Sequence, residues 1–162
     1  MAKRHGLIPL LFYNLNKLCR EAVPQHIFSE LEQYFKIHTR RSLILTNELL
    51  QILDIFKANN IQAIPFKGST LAISAYKSLA LRQFCDLDIL ISKQDTMRCV
   101  ELLTSIGYSL PKFIDELDQK PYIKNHLFLE SDTCQKGYDL IHEPKNIAIA
   151  LQWSLTEKRK SK

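Results

Sequence analysis

The stretch CDLDILI at residues 85–91 decides the fold prediction, because polar and apolar residues alternate there before an apolar end. This alternation predicts a β-strand, on which residues two apart project from the same face. Asp86 and Asp88 would therefore hold two carboxylates side by side. Two like charges this close repel unless a cation neutralises them, and carboxylate oxygens suit Mg²⁺. The pair marks a candidate metal site; an exposed strand end is the alternative that the pair alone leaves open.

The stretch IQAIPFKGST at residues 61–70 lies upstream of this strand. A short apolar run that contains proline predicts a strand near a sheet edge. Gly68 gives the backbone the freedom to turn from strand into helix, and Ser69 or Thr70 is expected to cap that helix. Backbone N–H groups and a hydroxyl at a helix N-terminus can receive phosphate oxygens. Gly68 and Ser69 are therefore candidate phosphate-binding residues, and a plain turn is the alternative.

Further helices and strands are predicted on both sides of these two stretches. Apolar residues recur at three- and four-residue steps through residues 26–60, and again from Ser92 or Asp95 up to Gly107, which predicts two helices. Gly107 is expected to end the second helix in a left-handed conformation. Three more strand candidates follow, and a turn joins the last two: residues 126–130, 138–142 and 147–153. Helices and strands in this order predict an α+β fold with a mixed sheet.

Composition excludes several classes of protein. The chain has 162 residues, of which 46% are hydrophobic and 24% charged, so it is a folded domain with a core rather than a disordered chain. Its four cysteines form no CxxC pair, which argues against a zinc cage or a disulfide framework. No segment approaches the roughly 18 consecutive apolar residues that span a bilayer. We expect a cytoplasmic protein without a membrane partner.

Positive charge marks two places in the chain. Lys67 and Arg82 flank the candidate phosphate turn and could neutralise a polyphosphate, although each is as often a surface charge. The net charge is +5, and much of the excess lies in residues 158–162. A solvated basic tail explains that excess, and nucleic-acid binding through the tail is an alternative that rests on charge alone.

Other chemistries have weaker support. Cys85 could be paired with His126 or His142 as a thiol nucleophile and its base, but strand alternation puts the cysteine on the opposite face from the neighbouring aspartate. A core cysteine is therefore predicted. Trp153 and Tyr138 could stack on a base, although core packing is the commoner role of aromatic residues.

Several separated stretches together resemble the uncharacterised nucleotidyltransferase family of the polymerase-β-like superfamily. They are IPFKGSTLA at residues 64–72 and RQFCDLDILI at residues 82–91, with RHGLIPLL at residues 4–11, Gly107-Tyr108 and LQWSL at residues 151–155. The resemblance covers nearly the whole chain. Because the matches occur in the right order, they are more specific than two aspartates alone.

The resemblance implies a polymerase-β-like fold: a mixed sheet with flanking helices and a helical N-terminal segment. Gly68 and Ser69 would hold the nucleotide triphosphate, while Asp86 and Asp88 would bind two Mg²⁺ or Mn²⁺ ions. The implied activity is transfer of a nucleoside monophosphate from an NTP to an unknown acceptor, which could be a protein, a small molecule or a nucleic acid. The expected organisation is a helical segment at residues 1–60, a nucleotidyltransferase core at 61–155 and a basic tail at 156–162.

The chain departs from the family pattern in two respects. Three residues before Trp153 the family usually carries an acid, and this chain has Ala150 there. Asp139, on the neighbouring strand candidate, could substitute, although such an acid is more often merely solvated. Family members also typically continue well beyond this motif. The alternative function is therefore a catalytically reduced nucleotide- or partner-binding domain, shortened from a larger nucleotidyltransferase.

Overall fold

The computed structural model describes residues 5–110 and 137–154, and in these residues the protein has an α+β fold. One mixed sheet contains four strands in the order β1-β2-β4-β3. The elements follow one another in the chain as α1 (Ile8–Leu18), α2 (Gln25–Ala58), β1 (Ala63–Phe66), α3 (Gly68–Tyr76), β2 (Asp86–Ile91), α4 (Thr96–Ser105), β3 (Gly137–His142) and β4 (Ile147–Gln152). The predicted fold class is confirmed. The strand candidate at 126–130 and the basic tail lie outside the described residues.

The described residues form two compact units, each with its own core. The first contains residues up to Gln51 together with Pro65–Asp86, and the second contains Ile52–Ile64 and the described residues from Leu87 onward. In the first unit the ring of Phe12 on α1 packs on two rings of α2, with its centroid 5.3 Å from that of Phe28 and 4.9 Å from that of Phe35. Helix α1 is thereby fixed to α2.

The core of the second unit includes aliphatic residues from the strands and α4. They are almost fully buried: Leu87 and Ile89 of β2, Leu103 of α4, Leu140 of β3, and Ile147, Ile149 and Leu151 of β4. Strand β3 pairs with β4 in antiparallel register, with Asp139 opposite Ala150. The connecting turn contains a short 3-10 segment and Asn146 at φ 52°. The predicted hairpin is confirmed, with strand ends shifted by one residue.

Two helices that end in the second unit, α4 and α2, close with the same hydrogen-bond motif. At the end of α4, the N–H of Tyr108 donates to the Leu103 carbonyl and that of Gly107 to the Thr104 carbonyl, with Gly107 at φ 98°. This is a Schellman motif, and it confirms the left-handed position predicted for Gly107. Helix α2 ends in the same way, with Asn60 at φ 57° in the equivalent position.

The start of α3 differs from the prediction, whereas the start of α4 agrees with it. Helix α3 begins at Gly68 with Lys67 in the N-cap position, so neither Ser69 nor Thr70 is the cap. Helix α4 begins at Thr96, after a 3-10 turn, with the predicted Asp95 in its N-cap position, although the Asp95 side chain makes no capping bond. No helix within the described residues combines the length and apolar character that crossing a bilayer requires.

The two matched helix ends give a stability prediction. Gly107→Ala should lower the free energy of unfolding by about 1–2 kcal/mol, because an L-side chain is strained in the left-handed conformation. The added Cβ would also lie 3.1 Å from Nε2 of His142. Asn60→Gly, at the equivalent position of α2, should leave stability within about 0.5 kcal/mol of wild type or raise it. Urea unfolding measures both, and a Gly107→Ala protein as stable as wild type would contradict the assigned motif.

Candidate functional site

The two predicted metal-binding carboxylates lie on β2. Asp86 is its first residue and Asp88 its third, so strand alternation puts both on one face. Asp86 is half-buried, whereas Asp88 is only 5% exposed. Burying a carboxylate is costly unless hydrogen bonds or a cation compensate the charge. One such bond comes from Gln152 on β4, whose Nε2 donates to Oδ1 of Asp88 over 3.4 Å.

Gln152 shows which face of β4 turns toward Asp88. Ala150 lies two residues earlier and therefore on the same face as Gln152, and its partner across the hairpin is Asp139. Residues directly opposite in an antiparallel pair share a face, with Cα atoms about 4.5–5.5 Å apart. The exposed Asp139 is thus next to the position where the family usually has an acid.

A three-carboxylate metal site is not assembled in the described part of the chain. No group of three or more His, Cys, Asp or Glu side chains lies close enough together there to hold a metal ion. The donors that the sequence predicts for a metal are the Asp86 and Asp88 carboxylates of β2. These are hard ligands that suit Mg²⁺ or Mn²⁺, and both ions also accept oxygens from a substrate phosphate.

The predicted phosphate turn connects β1 directly to α3. Lys67 has φ 54° and ψ −133°, and Gly68 has φ 28°. For Lys67, which has a side chain, this backbone conformation costs of order 1–3 kcal/mol, and it persists only where the surrounding structure imposes it. The first N–H groups of a helix have no carbonyl partner within that helix. In α3, Gly68 and Ser69 are the first two residues.

Arg82 contacts this turn directly. Its Nη1 donates to the carbonyl oxygen of Gly68 over 3.2 Å. The glycine also lies close to the strand that carries the carboxylates, because a Cβ placed on it would be 3.6 Å from the main-chain oxygen of Asp86. The ammonium of Lys67 lies 5.0 Å from the centroid of the Phe66 ring, a cation–π distance. Within the first unit, Lys67, Gly68, Arg82 and Asp86 are therefore gathered around one turn.

Two polar residues that the sequence analysis did not single out have side-chain hydrogen-bond partners in the structure. Gln152 donates to Asp88, and its signal in the sequence is that it lies two residues after Ala150 and therefore on the same face of β4. His38 on α2 is 7% exposed, and its Nε2 lies 3.4 Å from Oγ of Ser42. Burial lowers the pKa of His38, because the charged imidazolium loses its hydration. Its signal is a histidine four residues before Ser42 on the apolar side of a long helix.

The cysteine prediction is corrected by the structure. Cys85 is exposed and precedes the first residue of β2, so strand alternation does not apply to it. Its Sγ lies 3.9 Å from Oδ1 of Asp86, rather than in the core. Cys99 on α4 is the buried one, and burial raises its pKa to about 12, which keeps it a thiol. Tyr138 is buried against Trp153, with ring centroids 5.7 Å apart, as core packing predicts.

Comparison with known proteins identifies the family of this chain. The model of the family described as "Uncharacterised nucleotidyltransferase" matches residues 1–162. Searches of curated proteins and of solved structures gave no significant match. Since the family match extends over the whole sequence, it includes both the turn at Gly68 and the strand of Asp86 and Asp88. The chain belongs to the uncharacterised nucleotidyltransferase family.

Proposed function

We propose that the protein binds a nucleoside triphosphate together with Mg²⁺ or Mn²⁺ and transfers its nucleoside monophosphate slowly to an acceptor hydroxyl. The observation that supports this most strongly is the close approach of the Gly68 turn to Asp86. A Cβ placed on Gly68 would lie 3.6 Å from the main-chain oxygen of Asp86. A phosphate-binding turn and a metal-binding carboxylate must be neighbours if both are to serve one triphosphate.

The turn supplies the phosphate-binding groups. The N–H groups at the start of α3 and the Ser69 hydroxyl would receive phosphate oxygens, helped by the positive end of the helix dipole. The Lys67 ammonium and the Arg82 guanidinium would offset the negative charge. Arg82 suits both tasks, because a guanidinium has five N–H donors and Nη1 alone reaches the Gly68 carbonyl.

Asp86 and Asp88 would hold the cations. A divalent ion at such a site stabilises charge on the transferring phosphoryl group and favours ionisation of the acceptor hydroxyl. Gln152, through its bond to Oδ1 of Asp88, would orient that carboxylate. In the transfer itself, the acceptor oxygen bonds to the α-phosphorus while the bond from phosphorus to the bridging oxygen breaks. Pyrophosphate would leave with that electron pair, and the acceptor hydroxyl would release its proton to water.

Ala150 is the reason to expect slow transfer. Its methyl group stands where the family usually has an acid, and no group of three acids replaces it among the described residues. Two carboxylates would hold an ion on the acceptor side weakly, so that the hydroxyl would lose its proton slowly. The same observation favours a second candidate function, a nucleotide-binding domain that performs no transfer.

Nucleotide binding should depend on the metal. Calorimetric titration with each of the four common NTPs should show binding with Mg²⁺ that falls at least about tenfold in affinity with EDTA, because the phosphates and the paired acids need the same cation. Asp86→Asn and Asp88→Asn should each cause a comparable loss. Asp54→Asn, which removes the same charge from the exposed surface of α2, is the matched control. Equal affinity with EDTA and in both variants would exclude the metal assignment.

Restoring the missing acid should strengthen metal binding. Ala150→Asp should bind Mn²⁺ at least about tenfold more tightly, because its carboxylate would share the face of β4 that Gln152 turns toward Asp88. Ala148→Asp is the control, since Ala148 lies on the same face of β4 but two residues farther from Gln152 than Ala150 does. Mn²⁺ titration followed by water proton relaxation measures the affinities. An unchanged affinity in a folded Ala150→Asp protein would contradict the position assigned to the third acid.

The strained lysine should affect stability and binding in opposite directions. Lys67→Gly should unfold at the same temperature as wild type or higher, because glycine relieves a strain of order 1–3 kcal/mol. It should nevertheless weaken NTP binding, because it removes a cation from the turn. Lys77→Gly is the control: Lys77 ends the same helix, also with positive φ at 56°. If both variants bind NTP as wild type does, Lys67 has no role in nucleotide binding.

A further inference from the structure

A groove in the second compact unit has no place in the function proposed so far. It has a volume of about 640 Å³, and its lining comes from the last two turns of α2, from residues 61–64 and from residues 90–92. All of these residues belong to the second unit, and none of them is part of the candidate phosphate turn or is one of the two aspartates. Small-molecule sites in proteins have volumes of about 300–1,000 Å³, so the groove has the size of a ligand site.

Most of the groove lining is apolar. Ile61 and Ile91 are almost fully buried, and Leu53 of α2 is half-buried. Ile64 of β1 lines the same groove but is 61% exposed. A single exposed apolar residue is normal on a protein surface. This isoleucine, however, shares a concave surface with buried apolar side chains, so a ligand with an apolar body would remove apolar surface of the protein from water.

Three exposed polar side chains also line the groove: those of Lys57, Gln62 and Ser92. Among the residues that the structure describes, the Lys57 ammonium has no ion-pair partner, and the side chains of Gln62 and Ser92 have no hydrogen-bond partner. Each of the three can donate a hydrogen bond, and the lysine adds a positive charge. The groove therefore combines apolar surface with several donors, of which one is a cation.

We propose that this groove binds a free fatty acid of medium chain length. The acyl chain would cover Ile61 and Ile64, and the carboxylate would accept hydrogen bonds from the Lys57 ammonium and from the side chains of Gln62 and Ser92. A carboxylate only accepts hydrogen bonds, so it suits a set of donors. Its single negative charge matches the single cation of the lining, whereas a nucleotide phosphate chain carries several charges.

The first measurement compares octanoate with octanol, which has the same chain length but no charge. In ¹⁵N NMR titrations of the full chain, octanoate below its micelle-forming concentration should shift the amide resonances of Ile61, Ile64 and Ser92 in a saturable way. Octanoate should bind at least about fivefold more tightly than octanol, because a hydrogen bond to a charged group contributes more than one between neutral groups. Equal affinities, or no saturable shift at these three residues, would overturn the proposal.

Two variants separate recognition of the carboxylate from recognition of the chain. Lys57→Met removes the charge but keeps an unbranched side chain, so it should weaken octanoate binding at least about fivefold and change octanol binding less than about twofold. Lys17→Met is the matched control, because Lys17 is also exposed and also lies in the last turn of its helix, α1. An equal loss of acid and alcohol binding in Lys57→Met would contradict the role assigned to the ammonium.

Ile64→Ser removes apolar surface from the groove, so it should weaken octanoate and octanol alike, each about fivefold. Because the Ile64 side chain is largely exposed, the variant should fold. Leu50→Ser is the control, since it removes an exposed leucine of α2 that does not line the groove. Unchanged octanoate affinity in Ile64→Ser would place the ligand elsewhere and overturn the proposal.

Sedimentation velocity tests a second copy of the chain as the other occupant of the groove. A wild-type dimer that Ile64→Ser dissociates, together with no binding of octanoate, would assign the groove to self-association and overturn the proposal. A wild-type protein that binds octanoate and sediments as Ile64→Ser does would support it. None of these measurements requires Mg²⁺ or a nucleotide, so the fatty-acid site can fail while the proposed function stands, and the reverse.

Discussion

The conformation of Lys67 and Gly68 is the constraint on which the candidate site depends. With no intervening loop, β1 ends at Phe66 and α3 begins at Gly68, so one residue must reverse the backbone from strand to helix. Lys67 does so at φ 54° and ψ −133°, at an energetic cost that glycine would largely avoid. The turn sets the direction of the first N–H groups of α3. Arg82 stabilises the turn by donating a hydrogen bond to the Gly68 carbonyl.

The sheet supplies the other half of the proposed chemistry. Asp86 and Asp88 share a face of β2 because of the two-residue period of a strand, and Gln152 on β4 holds Asp88. The same period places Ala150 on the face of Gln152, opposite Asp139. The arrangement therefore differs from the three-acid family pattern by the alanine at position 150. For this reason we expect nucleotide binding to be retained better than nucleotide transfer.

Local rules predicted the parts of this arrangement that local forces determine. Alternation identified β2, turn chemistry identified the hairpin, and the chemistry of glycine identified the end of α4 at Gly107. Local rules failed where contacts distant in sequence decide: Lys67 rather than Ser69 or Thr70 precedes α3, and Cys85 is exposed. The bonds from Arg82 to Gly68 and from Gln152 to Asp88 join residues 14 and 64 positions apart. No pattern within one segment indicates such pairs.

The central claim is that the Gly68 turn and the β2 carboxylates serve one metal-bound triphosphate. A crystal structure of the protein with Mn²⁺ and a non-hydrolysable NTP tests it most directly, because anomalous scattering locates the metal independently of the refined coordinates. The account predicts an anomalous peak at a ligand distance of about 2.0–2.2 Å from Asp86 and Asp88 carboxylate oxygens, with a phosphate oxygen on the N–H groups of Gly68 and Ser69. A triphosphate bound elsewhere, or a metal peak away from both aspartates, would contradict it.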